Sequence, residues 1–315
     1  MTQTLTFAPL PSRALIAVAG SDWRDFLQGL ITQDVENLAT DEARFGALLT
    51  PQGRLLYDLF LVGRGEGCWL DVLAEHRTAI IQRLMMYRLR AKVEIALDET
   101  PVSTLFAAHP RESGDPGFFP NNAPKSTAAD AQCSGTQNAW VPAVAGMSGF
   151  FRDPRLPALG WRGYGAAVPA GATLGDDAAR EAQQLCLGVP GPADWGSDTT
   201  YPIEANFDLL HGIDFQKGCF VGQETTSRMK RRGQIKSRML PIVFDGPAPA
   251  AGVEVLAGDL RAGTVTSVGD GRAMALLRLD RARGEGLTVE GRPAIVELPA
   301  WFLEATGETA PPELG

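Results

Sequence analysis

Apolar positions along this chain fall into short blocks whose spacing switches between alternation and helical repeat. Residues 14–19 (ALIAVA) form a β-prone run closed by Gly20. Trp23, Phe26, Leu27, Leu30 and Ile31 then recur at helical spacing, which predicts a helix over 21–30 capped by Ser21. Runs 45–49 and 55–62 read as strands joined by TPQGR, whose Pro51 and Gly53 favour a turn. Residues 69–73 and 92–97 predict two more strands. Between them a helix is expected over 74–89, packed through Ile80, Ile81, Leu84, Met85 and Tyr87. Another is expected over 176–187, with Ala179, Ala182 and Leu185 inward and Pro190 and Pro192 stopping it. Beyond Lys236, brief runs at 239–244, 253–257, 262–268, 272–279 and 287–296 predict a small β-barrel.

The blocks are interrupted once at length. Residues 109–138 carry Pro, Gly, Ser and Asn without periodicity and read as a long surface excursion. Residues 309–315 read as a flexible tail. A length of 315 residues sets a prior of about two domains, and 44% hydrophobic residues supply a core. The 35 glycines and 22 prolines argue against a pure helical bundle. No run of 18 apolar residues predicts a membrane span, and the first 20 residues do not read as a signal peptide. With four scattered cysteines, the expected location is a reducing cytoplasm. No CxxC pair occurs and only three histidines are present, so no stably bound metal is expected.

Charge sharpens one region. The chain carries a net charge of -8, yet residues 217–238 hold seven Lys and Arg against one acid. Such a segment suits a polyglutamate tail, a phosphate, an RNA or an acidic protein. Aromatic residues are absent from 228–238, so direct nucleic-acid binding is not expected.

Within this stretch, KGCFVGQE (217–224) is the densest chemical candidate. Cys219 sits between Gly218 and an apolar pair, and Lys217 is near enough in sequence to favour a thiolate. The bland reading is a small apolar filler beneath a tight turn. Cys68, Cys133 and Cys186 carry weaker signals. Glu204 and Asn206, in YPIEAN, have the donors and acceptors to recognise an amide or aminopyrimidine; equally, Glu204 suits a turn cap. Asp58 interrupts LLYDLFLV, where a carboxylate needs either a partner or a pocket to face.

KGCFVGQE closely resembles the signature of YgfZ-type folate-binding proteins, which are related to a mitochondrial iron–sulfur assembly factor and to the glycine-cleavage T-protein. FLQGLITQDV (26–35), LLTPQGRLLYDLFLV (48–62), YRLRAKVEI (87–95) and ALLRLDRA extend the resemblance over most of the chain. It implies an α+β, multi-domain T-protein-like fold. Residues 1–235 would form an interleaved folate-binding region with a ferredoxin-like part around 50–145, and 236–308 a C-terminal β-barrel.

The resemblance also implies tetrahydrofolate as the small molecule and iron–sulfur client or carrier proteins as partners, including enzymes that thiolate transfer RNA. Cys219, the functional cysteine, and Asp58 would be the catalytic candidates; Glu204, Asn206, Asp58, Lys217 and Gln223 would serve the folate. The T-protein has an Asp-Asp pair where Tyr57-Asp58 stands here, which weighs against true aminomethyl transfer. A folate-dependent transferase and a noncatalytic client-binding scaffold are the competing expectations.

Overall fold

The computed structural model describes residues 4–107, 148–233, 235–269, 271–282 and 286–307. The expected excursion at 109–138, Cys133 and the tail at 309–315 lie outside these residues.

The chain opens with strands β1 (Leu5–Pro9) and β2 (Arg13–Ala19), then helix α1 (Trp23–Gln28). Strands β3 (Ala43–Leu49), β4 (Leu55–Arg64) and β5 (Gly67–Leu73) follow. Helix α2 (Arg77–Arg88) leads to β6 (Glu94–Asp98) and β7 (Val102–Ala107). After these come β8 (Phe150–Arg152), β9 (Trp161–Tyr164), β10 (Thr173–Leu174) and helix α3 (Asp177–Cys186). One sheet has the order β3-β4-β5-β2-β6, and a second has the order β10-β1-β7-β9-β8. The strands within 55–107 are thus divided between two sheets, because β7 pairs with β1 from the start of the chain.

Helix α4 (Gln223–Arg232) precedes the barrel, whose closed order is β11-β14-β13-β12-β15-β16. Its strands are β11 (Ser237–Phe244), β12 (Glu254–Ala257), β13 (Leu260–Val268), β14 (Arg272–Arg278), β15 (Leu287–Val289) and β16 (Arg292–Val296). The run expected at 287–296 is a hairpin, turned by Glu290 and Gly291, both at positive φ. Helix α5 (Ala300–Thr306) buries Trp301 and Phe302 against the barrel core.

Helix α1 is shorter than its periodicity predicts, and Ser21 does not cap it. The Ser21 hydroxyl donates to Asp22, whose other oxygen accepts from the Lys92 amide at 2.8 Å. That contact ties the helix start to the loop entering β6. Apolar residues of α1 (Trp23, Leu27) and α2 (Ile80, Leu84) cover one face of the first sheet, against Ile16, Val18, Leu59 and Leu70. Burying each such aliphatic side chain stabilises the fold by about 1.5–3 kcal/mol.

The opposite face of that sheet is charged, and it meets the second sheet. Asp71 of β5 is fully buried and accepts from Arg13 Nε at 2.7 Å, Arg162 Nε at 2.9 Å and the Tyr164 hydroxyl at 3.0 Å. Arg13 also donates from Nη1 to Asp58 at 2.9 Å. A second centre forms around Asp153, which accepts from Arg155 Nε at 2.9 Å and Arg180 Nη2 at 2.8 Å. Between the two centres, the Phe60 ring lies 3.8 Å from the Arg162 guanidinium and 5.0 Å from that of Arg155. Arg13, Arg155, Arg162 and Arg180 thus face Asp58, Asp71 and Asp153, leaving one positive charge in excess.

This layer corrects the reading of α3. Ala182 is exposed and Arg180 is buried against Asp153, with Gln183 beside it, while Leu185 packs inward on the apolar core as expected. Burial, with Arg155 and Arg162 close by, brings the Arg180 pKa down to about 9. Burial alone would raise the carboxyls. The surrounding arginines prevail and hold both Asp71 and Asp153 below the ordinary carboxylate range.

Replacing Asp71 leaves Arg162 buried without its anion and Arg13 with Asp58 alone, so Asp71→Asn should destabilise the chain by about 3–5 kcal/mol in urea unfolding. The pH dependence follows from the same depressed values. Both carboxylates stabilise fully above about pH 4, the unfolded value, and lose that contribution as the pH falls toward their folded values. A urea midpoint that stayed flat from about pH 6 to pH 3 would contradict this account.

Candidate functional site

The KGCFVGQE segment forms an exposed loop pinned on both sides of its cysteine. On the N-terminal side, Lys217 Nζ donates to the backbone carbonyls of Gln28, Ile31 and Gln33 at 2.8, 2.6 and 2.9 Å. An ammonium has three donors, and all three are engaged. Lys217 therefore has no hydrogen-bond donor left for a thiolate. Burial lowers its pKa to about 8, opposed by the charges of Asp34 and Asp214.

On the C-terminal side, Phe220 is buried among Phe45, Leu49, Leu55 and Phe207. The Val221 amide donates to the Gly29 carbonyl at 3.0 Å. Further staples join the same two segments: the Asp214 amide to Thr32 O at 3.0 Å, and Gln33 Nε2 to His211 O at 2.6 Å. Cys219 stands between these anchors as an exposed, free thiol. Cys68, by contrast, is buried, and burial pushes its thiol up to about 12.

Gly222 brings the cysteine loop against the TPQGR turn. Its φ is +83°, and a Cβ there would lie 2.5 Å from the Thr50 carbonyl oxygen and 3.0 Å from Gly53 Cα. Gly53, with φ of +84°, meets the Gly222 carbonyl in return. Only residues without side chains allow this backbone contact. Gly218, in contrast, has open space around it.

The other residues singled out in the sequence sit elsewhere. Asp58 is buried and paired with Arg13. Asn206 is fully buried at φ +62°, donating to Met239 O at 2.7 Å and accepting from Arg238 at 2.9 Å. Its side chain fastens the 201–210 turns to β11, which corrects the expectation that it serves a ligand. Glu204 lies partly buried in the same turns and accepts from the Tyr201 amide at 2.9 Å. Burial raises its pKa, opposed by the Tyr201 amide and the charge of Arg54. Asp58 and Asn206, both read as folate contacts, are committed to partners within the protein.

Gln223 lines an open groove of about 660 Å³ with Pro51, Phe215, Phe220, Lys230 and Arg231. Glu224 lines the same groove, largely exposed, and pairs with Arg228 at 2.7 Å. Sequence reading missed the arginines of the inter-sheet layer. Their signal was a charge inside a strand pattern, as in WLDVL and WRGY, the same cue that drew attention to Asp58.

Two sheets joined through a charged layer, followed by a closed barrel, define a T-protein-like α+β chain. The aminomethyltransferase T of the glycine cleavage system from Bartonella henselae superposes with a TM-score of 0.68 at 19% identity, covering 94% of this chain and 86% of that one. Residues 236–304 match the CAF17, C-terminal beta-barrel domain.

The chain belongs to the IBA57 family of iron–sulfur cluster assembly factors. It is 30% identical to the mouse protein named "Iron-sulfur cluster assembly factor IBA57, mitochondrial", over 87% of this chain and 78% of that one. The human protein of the same name is 30% identical over 78% and 68%. The Neurospora crassa homologue is 30% identical over 76% of this chain, which spans only 54% of that relative's length.

These relatives overturn the cytoplasmic expectation, since all three are named mitochondrial. Scattered cysteines carry no cellular address, so the sequence argument reached too far. Among the described residues, no helix is long and apolar enough to cross a membrane.

The loop geometry makes two checks available. Gly222→Ala should cost about 1–3 kcal/mol through strain at positive φ and collision with Thr50, while Gly218→Ala stays within about 0.5 kcal/mol. Equal denaturation midpoints for the two would refute the backbone contact. Lys217→Met should leave the melting curve cooperative yet raise hydrogen exchange at the Asp214 and Val221 amides roughly tenfold, the scale of lost charge-assisted hydrogen bonds. Because the wild-type ammonium is lost above about 8, raising the pH from 7 to 9 should move wild-type exchange toward the variant, once base catalysis is corrected. Unchanged exchange in Lys217→Met would remove the latch.

Proposed function

We propose that this chain is a folate-binding accessory protein that supports assembly or repair of iron–sulfur proteins, with Cys219 as the group that meets the cluster or its carrier. The carrying observation is an exposed, free thiol held at a fixed place by Lys217 and Phe220. A thiol of this kind offers one soft ligand while leaving the remaining positions to a partner. The cluster is then cargo, passed at the surface rather than stored within. Clients include enzymes that thiolate transfer RNA.

Tetrahydrofolate is assigned to Glu204, whose partly buried carboxylate retains acceptor capacity for a pterin amine and amide. Lys217 and Gln223 serve the cysteine loop in this reading, as latch and as groove lining. Aminomethyl transfer is disfavoured because Asp58 is neutralised by Arg13 and has no open carboxylate to present to a reacting amine.

Calorimetric titration of the anaerobic protein with tetrahydrofolate should give saturable binding that weakens about tenfold or more in Glu204→Ala. No binding by folded wild type would sink the pocket. Cys219→Ser, at an exposed position, should leave stability within about 0.5 kcal/mol and yet abolish support for a tRNA-thiolating iron–sulfur enzyme in complemented cells. Full support by the serine variant would remove Cys219 from the mechanism.

A further inference from the structure

Helix α4 and the turn before it frame the 660 Å³ groove that begins at Phe220, one residue beyond Cys219. Its floor is apolar, formed by Pro51, Phe215 and the mostly buried Phe220; Ser227 lines its wall, and its rim carries Lys230 and Arg231 together with Glu224, whose charge Arg228 offsets. The structure also sorts the basic run 217–238. Lys217 and Arg238 are turned inward, onto backbone carbonyls and Asp208 respectively. Arg228 pairs with Glu224. Lys230, Arg231 and Lys236 are exposed, in a chain whose net charge is -8. Asp208, the carboxylate nearest Lys230 at 3.4 Å, is already held by both nitrogens of Arg238 at 2.8 and 2.9 Å.

We propose that this groove docks an acidic, apolar-bearing segment of the protein that carries the cluster, setting that protein's metal site against Cys219. The inference rests on the functional reading above and adds the partner's recognition chemistry. Charge complementarity selects an acidic segment: carboxylates meet Lys230 and Arg231, while its apolar side chains cover Pro51 and the partly exposed Phe215.

A nucleic acid fits less well. Base stacking needs open ring faces. The Phe220 ring is 7% exposed with Lys217 Nζ at 5.3 Å, and the Phe215 ring carries Lys230 Nζ at 5.5 Å. The remaining acidic surface would also repel a long polyanion beyond the groove.

The test uses the full chain and three fluorescent probes: a peptide alternating Glu and Phe, its Lys-for-Glu counterpart, and a single-stranded RNA of equal length. Anisotropy should show salt-sensitive binding of the acidic peptide and none of the basic one. The charge reversal Lys230→Glu/Arg231→Glu and the groove-filling Ser227→Trp should each weaken that binding about tenfold or more. Ser227→Trp leaves every charge in place, so it separates groove occupancy from long-range attraction.

Absence of acidic-peptide binding to folded wild type overturns the proposal, as does binding unaffected by Ser227→Trp or preference for the RNA. Cys219→Ser should bind the peptide as wild type does. Peptide binding together with full client support by Cys219→Ser would fault the thiol reading and leave the dock. Loss of client support by Cys219→Ser without peptide binding would do the reverse.

Discussion

Asp71 is the carboxylate on which the two sheets agree. Arg13 from its own sheet and Arg162 from the other both end on it, and Tyr164 completes the shell. Desolvating these charges is unfavourable, so the arrangement persists only because every partner is delivered together by strands far apart in sequence. Once the layer forms, β2, β4, β5 and β9 are fixed relative to one another, and Asp153 extends the same logic to α3 through Arg180. The excess positive charge is spread over the Phe60 ring and the neighbouring carboxylates. The layer also decides what Asp58 is for. A carboxylate that elsewhere in the sequence pattern reads as reactive is here half of an ion pair.

The thiol is governed by a different economy. Nothing in the loop itself makes Cys219 rigid, since Gly218 beside it is unconstrained. Rigidity comes from Lys217 filling the carbonyl cage at 28–33 and from Phe220 entering the core behind it. Gly222 and Gly53 then bring the helix start and the β3–β4 turn into backbone contact. Three of the strings that carry the family resemblance are therefore not independent motifs. FLQGLITQDV supplies the carbonyls, TPQGR supplies the surface Gly222 leans on, and KGCFVGQE spans between them.

Much of this was legible in the sequence where chemistry and periodicity are local. Strands 13–19, 43–49 and 55–64, helix α2 and the barrel strands follow from alternation, helical repeat and turn residues. Cys219 stood out because glycines and a cation surround it. What misled the reading was long-range. β1 and β7 are short and pair only with each other and with distant strands, so neither announces itself. The hairpin at Glu290-Gly291 lacks the Asn or Asp that usually marks such a turn. Ala182 was assigned inward because a helix that buries Arg180 violates the apolar rule its pattern is read by.

The sequence by itself determined the kinds of element and the family, and it singled out Cys219, because each is encoded within a few neighbouring residues. Tertiary structure alone decided which charges are structural. Asp58, Asn206 and Lys217 carry the side chains of a binding site, yet each is claimed by a partner at least 32 residues away: Arg13, Arg238 and the 28–33 carbonyls. A polar side chain shows its role only when its hydrogen-bond partners are known, and those partners are chosen by the fold.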